Sequence, residues 1–159
     1  MLRVMTKFAA GALALTLATA PLYAATTISV TLWDKGTSAD IATDRGIGMI
    51  GDMSKATMGL RLSTKTAKAG DVTFKVVNSS QETIHEMVVF PYKDGEKIPF
   101  SEKDAKIDED MAGHLGEVAE LDPAKKGAVT LDLKPGKYIL TCNIPGHYMN
   151  GMWAIFTVK

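Results

Sequence analysis

The chain has 159 residues, 18 basic and 18 acidic, with 46% hydrophobic residues. That length suits one domain with one core, and the apolar content argues against a disordered chain. The even charge balance argues against nucleic-acid binding, and a single cysteine, Cys142, excludes an internal disulfide.

Residues 1–24 have the three-part layout of an export signal: Arg3 and Lys7, an apolar run over residues 8–20, then Pro21-Leu22-Tyr23-Ala24. Cleavage is expected after Ala24. The apolar run is short of the roughly 20 residues a spanning helix needs, so no stable membrane insertion is expected. No twin-Arg pair precedes the run and no Cys ends it, so general secretion and a periplasmic destination are the expectation. Losing two cations leaves 16 basic against 18 acidic residues in the mature chain, which is expected to be a single domain over residues 25–159.

From Thr26, alternation of Ile28, Val30 and Leu32 with Ser29, Thr31 and Trp33 predicts a half-buried strand. Residues 34–59 read as a long excursion that holds Met49, Met53 and Met58. Strand patterning resumes at Leu60-Arg61-Leu62-Ser63, and residues 72–78 alternate cleanly. After the polar corner at residues 79–82, a further strand is expected over residues 83–90 with His85 in it. Residues 91–116 turn polar and charged and are expected to form an insertion, helix or loop, over one face of a sheet. Residues 129–133, 137–142 and 153–158 predict three more strands, the last two flanking a loop. Short strands with frequent turn signals point to an all-β fold, a β-sandwich.

That last loop carries the chemistry. Cys142-Asn143-Ile144-Pro145-Gly146-His147-Tyr148-Met149-Asn150-Gly151-Met152 places a thiolate, an imidazole and a thioether at the spacing C-x4-H-x4-M. Two His and one Cys with a weak axial Met are the ligands of blue copper, because soft sulfur suits Cu(I) and imidazole suits both oxidation states. A second imidazole is needed, and His85 can supply it from a neighbouring strand. Pro145-Gly146 before His147, and Gly151 before Met152, suit a stiff, sharply turning loop.

The stretch from Gly136-Lys137-Tyr138 to Val158 resembles the copper-binding end of the cupredoxins, with the Cys-x4-His-x4-Met spacing of sulfocyanin and rusticyanin. Asn143-Ile144-Pro145-Gly146-His147 is similar to plastocyanin-like and sulfocyanin-like bacterial periplasmic proteins. The resemblance covers residues 72–159 and is most specific over the last third. It implies a Greek-key β-sandwich, the cupredoxin fold, with a short helix or loop insertion. It also implies one type 1 copper ion cycling between Cu(I) and Cu(II), with Cys142 as thiolate ligand, His85 and His147 equatorial and Met152 axial.

The implied function is one-electron transfer by a non-enzyme, since copper enzymes need further histidine ligands for a second copper centre and the chain has three histidines in all, two of them already assigned. A monomer is expected, with a redox protein docking near His147 on a rim to which Pro145, Tyr148 and Met149 contribute. The alternative is copper tolerance, storage or delivery, motivated by thioethers at Met49, Met53 and Met58, although methionine also fills irregular gaps in cores. His114, near acidic residues, reads as a solvated loop histidine rather than a ligand. One departure from the family pattern stands out: Glu86 follows the first His where many members carry an Asn tied to a Ser or Thr beside the Cys, here Thr141. Glu86 lowers the reduction potential if it is ionised and points inward, and strand alternation offers it the opposite direction.

Overall fold

The first strand, β1 (Thr26–Asp34), buries Ile28, Val30 and Leu32 and leaves the residues between them toward solvent, as its period of two requires. The structure, a computed structural model, describes residues 25–36 and 51–159. The expected export signal and residues 37–50 of the excursion, Met49 included, lie outside the described residues. Among the described residues no helix is long and apolar enough to cross a membrane.

Along one edge β1 pairs antiparallel with β2 (Met58–Leu62), which puts Asp34 opposite Met58. Along the other it pairs parallel with β4 (Gly70–Asn78), from Thr26 opposite Val72 to Leu32 opposite Asn78. The short β3 (Thr66–Ala67) between them belongs to the second sheet. The first sheet runs β2-β1-β4-β9, with β9 spanning Lys126–Leu133. The second runs β3-β11-β10-β5-β8, formed by β5 (His85–Tyr92), β8 (Gly116–Leu121), β10 (Gly136–Thr141) and β11 (Trp153–Val158). The chain crosses from β4 to β5 and from β8 to β9, so the two sheets form a Greek-key sandwich.

Ile28, Val30, Leu32, Phe74 and Val76 from the first sheet meet Met87, Val89, Leu140 and Phe156 from the second in one core. Phe74 and Phe156 meet edge to face, ring centroids 5.3 Å apart.

Pro91, Tyr92 and Gly116 of the expected insertion belong to the strands themselves; residues 93–115, between β5 and β8, cover one face of the second sheet. They form a hairpin of β6 (Phe100–Ser101) and β7 (Lys106–Ile107), then a single helical turn, α1 (Glu109–Ala112). The Asp108 carboxylate caps α1 by accepting from Met111 N at 3.0 Å, and Gly113, at φ 73°, ends it in the left-handed conformation that glycine adopts at least cost. Ile107 is buried against Val88, Phe90 and Ile139, with Phe100 packed beside them. Covered on both faces, β5 therefore reads Met87-Val88-Val89-Phe90 as an unbroken apolar run.

Element boundaries differ from the sequence expectation in instructive ways. β5 starts at His85 rather than 83, because Asn78 Nδ2 donates to Thr83 O and to Leu121 O, and Ser80 Oγ accepts from Thr83 N. These bonds hold residues 79–84 as a loop. β2 begins at Met58, inside the expected excursion, after a 3-10 turn at Met53–Lys55. The strand β8 is unforeseen: as an edge strand it buries Val118 alone, so its sequence carries little alternation.

Candidate metal centre

One end of the sandwich gathers the ends of three strands. His85 opens β5, Cys142 follows β10 directly, and Met152 directly precedes β11. Since β10 and β11 are paired as far as Thr141 opposite Trp153, the loop between Cys142 and Met152 must close on itself. It does so through backbone bonds: Cys142 N donates to Met152 O (3.0 Å), Met152 N to His147 O (3.1 Å) and Asn150 N to Gly146 O (3.1 Å). Gly146 and Gly151 take φ of 83° and 96°, where a side chain would be strained. Gly146 N also donates to Ala105 O (2.8 Å), which ties the loop to the insertion.

The three strong donors converge. His85 Nδ1 and His147 Nδ1 lie 3.2 Å apart, and Cys142 Sγ is 3.2 Å from His147 Nδ1 and 3.9 Å from His85 Nδ1. In a triangle with these sides the point equidistant from the corners is about 2.0 Å from each, close to the ~2.0–2.1 Å of a metal–imidazole bond and somewhat short of the ~2.3 Å of a metal–thiolate bond. The donor set therefore suits a small, soft transition-metal ion. His85, Cys142 and Met152 are fully buried and His147 is 5% exposed, so bulk water is kept from the point of convergence.

Without a metal all three donors are held neutral. Burial pushes the Cys142 thiol up to about 12, even though the backbone N–H groups of Glu86 (3.4 Å) and Ile144 favour the thiolate. Burial and the neighbouring His85 ring push His147 down to about 4. Burial also lowers His85, partly offset by Asp34. Neutral imidazoles keep lone pairs available, and a cation at the centre would reverse the balance for the thiol.

Three residues that the sequence reading did not assign, or left undecided, complete the surroundings. Asp34, the last residue of β1, has Oδ2 2.7 Å from His85 Nε2. Donation of the Nε2 proton to this carboxylate fixes the ring and leaves Nδ1 as the donor atom. Burial raises the Asp34 pKa, but hydrogen bonds from Ser80, His85 and Gly36 N outweigh it and hold the carboxyl below its ordinary value.

Glu86 is buried, but on the face of β5 opposite His85: strand alternation sets it with Val88 and Phe90, on the side the insertion covers, while Met87 and Val89 enter the core between the sheets. The irregularity in the β5–β8 pairing puts the extra residue on β8, where Val118 to Leu121 spans the two steps from Met87 back to His85. Glu86 Oε1 accepts from Asn143 N at 3.0 Å, so it braces the peptide after Cys142, whereas Thr141 Oγ1 donates to Met152 O at 2.9 Å. The expected cross-tie is therefore replaced by two separate ones. Burial, then the charges of Glu117, Glu120 and Glu109, raise Glu86 to about 7, against the bond from Asn143 N.

Asn143 itself is fully buried. Its Oδ1 accepts from Ile107 N (2.7 Å), and its Nδ2 donates to Ile107 O (3.0 Å) and Glu109 Oε1 (2.8 Å), locking the cysteine loop to the insertion. Nothing in sequence spacing marks Asp34 or Asn143, since their partners lie far away in the chain.

Tyr148 is buried against Phe100, and Met149 is half-buried in the same cluster, so both serve packing rather than an exposed rim. Pro145 is exposed. Met58 is spent in the core at 2% exposure while Met53 is 39% exposed, which withdraws Met58 from any labile thioether site. His114 is exposed, with Nε2 3.9 Å from Glu117 Oε2, and its ring nitrogen gathers with the carboxylates of Glu109 and Glu117.

Residues 122–159 match the sulfocyanin (SoxE) domain family. No curated protein matches the chain in sequence. Among solved structures, reduced auracyanin from Roseiflexus castenholzii aligns at 21% identity with a TM-score of 0.55, covering 86% of this chain and 99% of its own. Auracyanin A, described as a "blue" copper protein from Chloroflexus aurantiacus, aligns at 16% identity with a TM-score of 0.52, covering 86% and 100%. Rusticyanin from Thiobacillus ferrooxidans aligns at 17% identity with a TM-score of 0.51, covering 86% and 80%. At such identities these likenesses establish the fold.

Proposed function

We propose that this chain, which has the cupredoxin fold, holds one type 1 copper ion through His85, Cys142, His147 and Met152 and works as a one-electron carrier. The observation that carries this reading is the buried convergence of His85 Nδ1, His147 Nδ1 and Cys142 Sγ, with the side chain of Met152 fully buried beside them. Copper bound there would cycle between Cu(I) and Cu(II).

The chain's own contribution is to hold the donors still. Asp34 orients His85, the Glu86 and Ile144 amides face the cysteine sulfur, and closure of the 142–152 loop fixes His147 and Met152. Little then moves when one electron enters or leaves, and exclusion of water removes solvent reorganisation around the sulfur. The same rigidity suits outer-sphere transfer rather than bond-making chemistry. Residues 1–24 would direct the chain to the periplasm, where copper is taken up after export.

Optical and voltammetric measurement of the copper-loaded protein tests the reading. An intense visible band and a reversible one-electron wave are expected, and Cys142→Ser should abolish the band. A colourless Cu(II) protein would overturn it. Recovery of an exported chain starting at Ala25 tests the location.

A further inference from the structure

We propose that the groove beside His147, between the start of β5, the edge strand β8 and the cysteine loop, is a docking surface for a lysine-rich face of a redox partner protein. This rests on the electron-carrier reading and names the chemistry of its partner.

The groove encloses about 860 Å³, and its lining includes the imidazole of His147 and, from its surroundings, the carboxylates of Glu82, Glu86, Glu109, Glu117 and Glu120. One cation, Lys106, lines it. The whole chain is formally neutral, so four carboxylates besides Glu86, which is half-protonated near pH 7, against one ammonium among the described residues are a local concentration of negative charge rather than a general property. Glu82, Glu117 and Glu120 are exposed and project from two adjoining segments, where they can meet an incoming surface.

Apolar contact is present as well. Ile84, 43% exposed, and Pro145 line the same groove, a mixture that gives a partner both a desolvated contact and an oriented approach. A concave acidic surface focuses its field and attracts a cationic partner, raising association rates by factors of about 10–1000 at low salt. A partner seated there places its own centre next to the one ligand ring that reaches the surface, while His85, Cys142 and Met152 stay covered.

Stopped-flow electron exchange tests this, with lysine-rich mitochondrial cytochrome c as cationic probe and hexacyanoferrate as anionic probe. One electron passes between copper and haem iron, Cu(I) becoming Cu(II) as Fe(III) becomes Fe(II) or the reverse, with no bond made or broken. The copper-loaded variant Glu82→Gln/Glu117→Gln/Glu120→Gln should react with cytochrome c about 10-fold more slowly at low ionic strength and lose most of its salt dependence. Its rate with hexacyanoferrate should hold or rise. Lys106→Gln should speed the cytochrome reaction, and a control with Asp71→Asn, Glu96→Gln and Asp132→Asn, outside the groove, should stay within about twofold of the parent.

Equal slowing by the control and groove variants, no slowing by either, or slowing with both probes would overturn the docking surface. So would a concentration-dependent dimer of the parent protein that the groove variant abolishes, since a second copy would then occupy it. Absence of the visible band in the parent would instead be failure of the copper reading, and is read before any mixing experiment.

Discussion

Asp34 Oδ2 lies 2.7 Å from His85 Nε2, so the last residue of the first strand holds the ring that opens the fifth. Removing the carboxylate with Asp34→Ala should weaken copper binding by about 10–100-fold in competition with a chelator, the usual effect of losing such a partner. Asp34→Asn keeps an acceptor but removes the negative charge that favours Cu(II). Its reduction potential should therefore rise in voltammetry.

Glu86 makes the metal-free protein sensitive to pH. Its pKa is about 7 in the fold against 4.5 for the free side chain, so between these values the folded chain binds more protons than the unfolded one. Stability from this group is present below about pH 4.5 and is lost as pH rises through 7. His147, lowered to about 4, acts in the opposite sense, losing stability as pH falls below its unfolded value near 6.5. Comparison of Glu86→Gln with the parent cancels the histidine contribution. The variant should gain on the parent between pH 4.5 and 7, by up to about 3 kcal/mol in urea titrations of metal-free protein.

Asn143 satisfies both backbone groups of Ile107, a residue with no solvent exposure. Asn143→Ala leaves a buried N–H and a buried C=O unpaired, at about 1–3 kcal/mol for each group left unsatisfied. The expected result is a lower urea midpoint with an unchanged slope.

Gly127 on β9 sits against β8, where an added Cβ would lie 2.4 Å from Val118 Cγ1. Gly127→Ala should therefore destabilise the sandwich by about 1–3 kcal/mol, the range for overpacking. Val118→Ala in the same chain should recover part of the loss, which thermal unfolding of the pair and of each single variant would show.

The legible parts of this molecule share a local cause. Alternation marked β1, β4, β9 and β11 because each buries one face against the opposite sheet. The C-x4-H-x4-M loop was legible because a thiolate, an imidazole and a thioether are chemically distinctive and adjacent in the chain. Edge strand β8 was not, since a strand that buries only Val118 looks like solvated loop. The face of Glu86, opposite His85, followed from alternation, but its burial did not, because the insertion that covers that face and its partner Asn143 lie far along the chain.

By itself the sequence determined which atoms could bind a soft metal and that short strands would pair into a sandwich, both being properties of side-chain chemistry and of residues close together. Only the tertiary structure decided that Asp34 steadies His85, that Asn143 joins the cysteine loop to the insertion and that acidic side chains collect beside His147. These partners are separated by tens of residues, and it is the stacking of two sheets that brings their strand ends together.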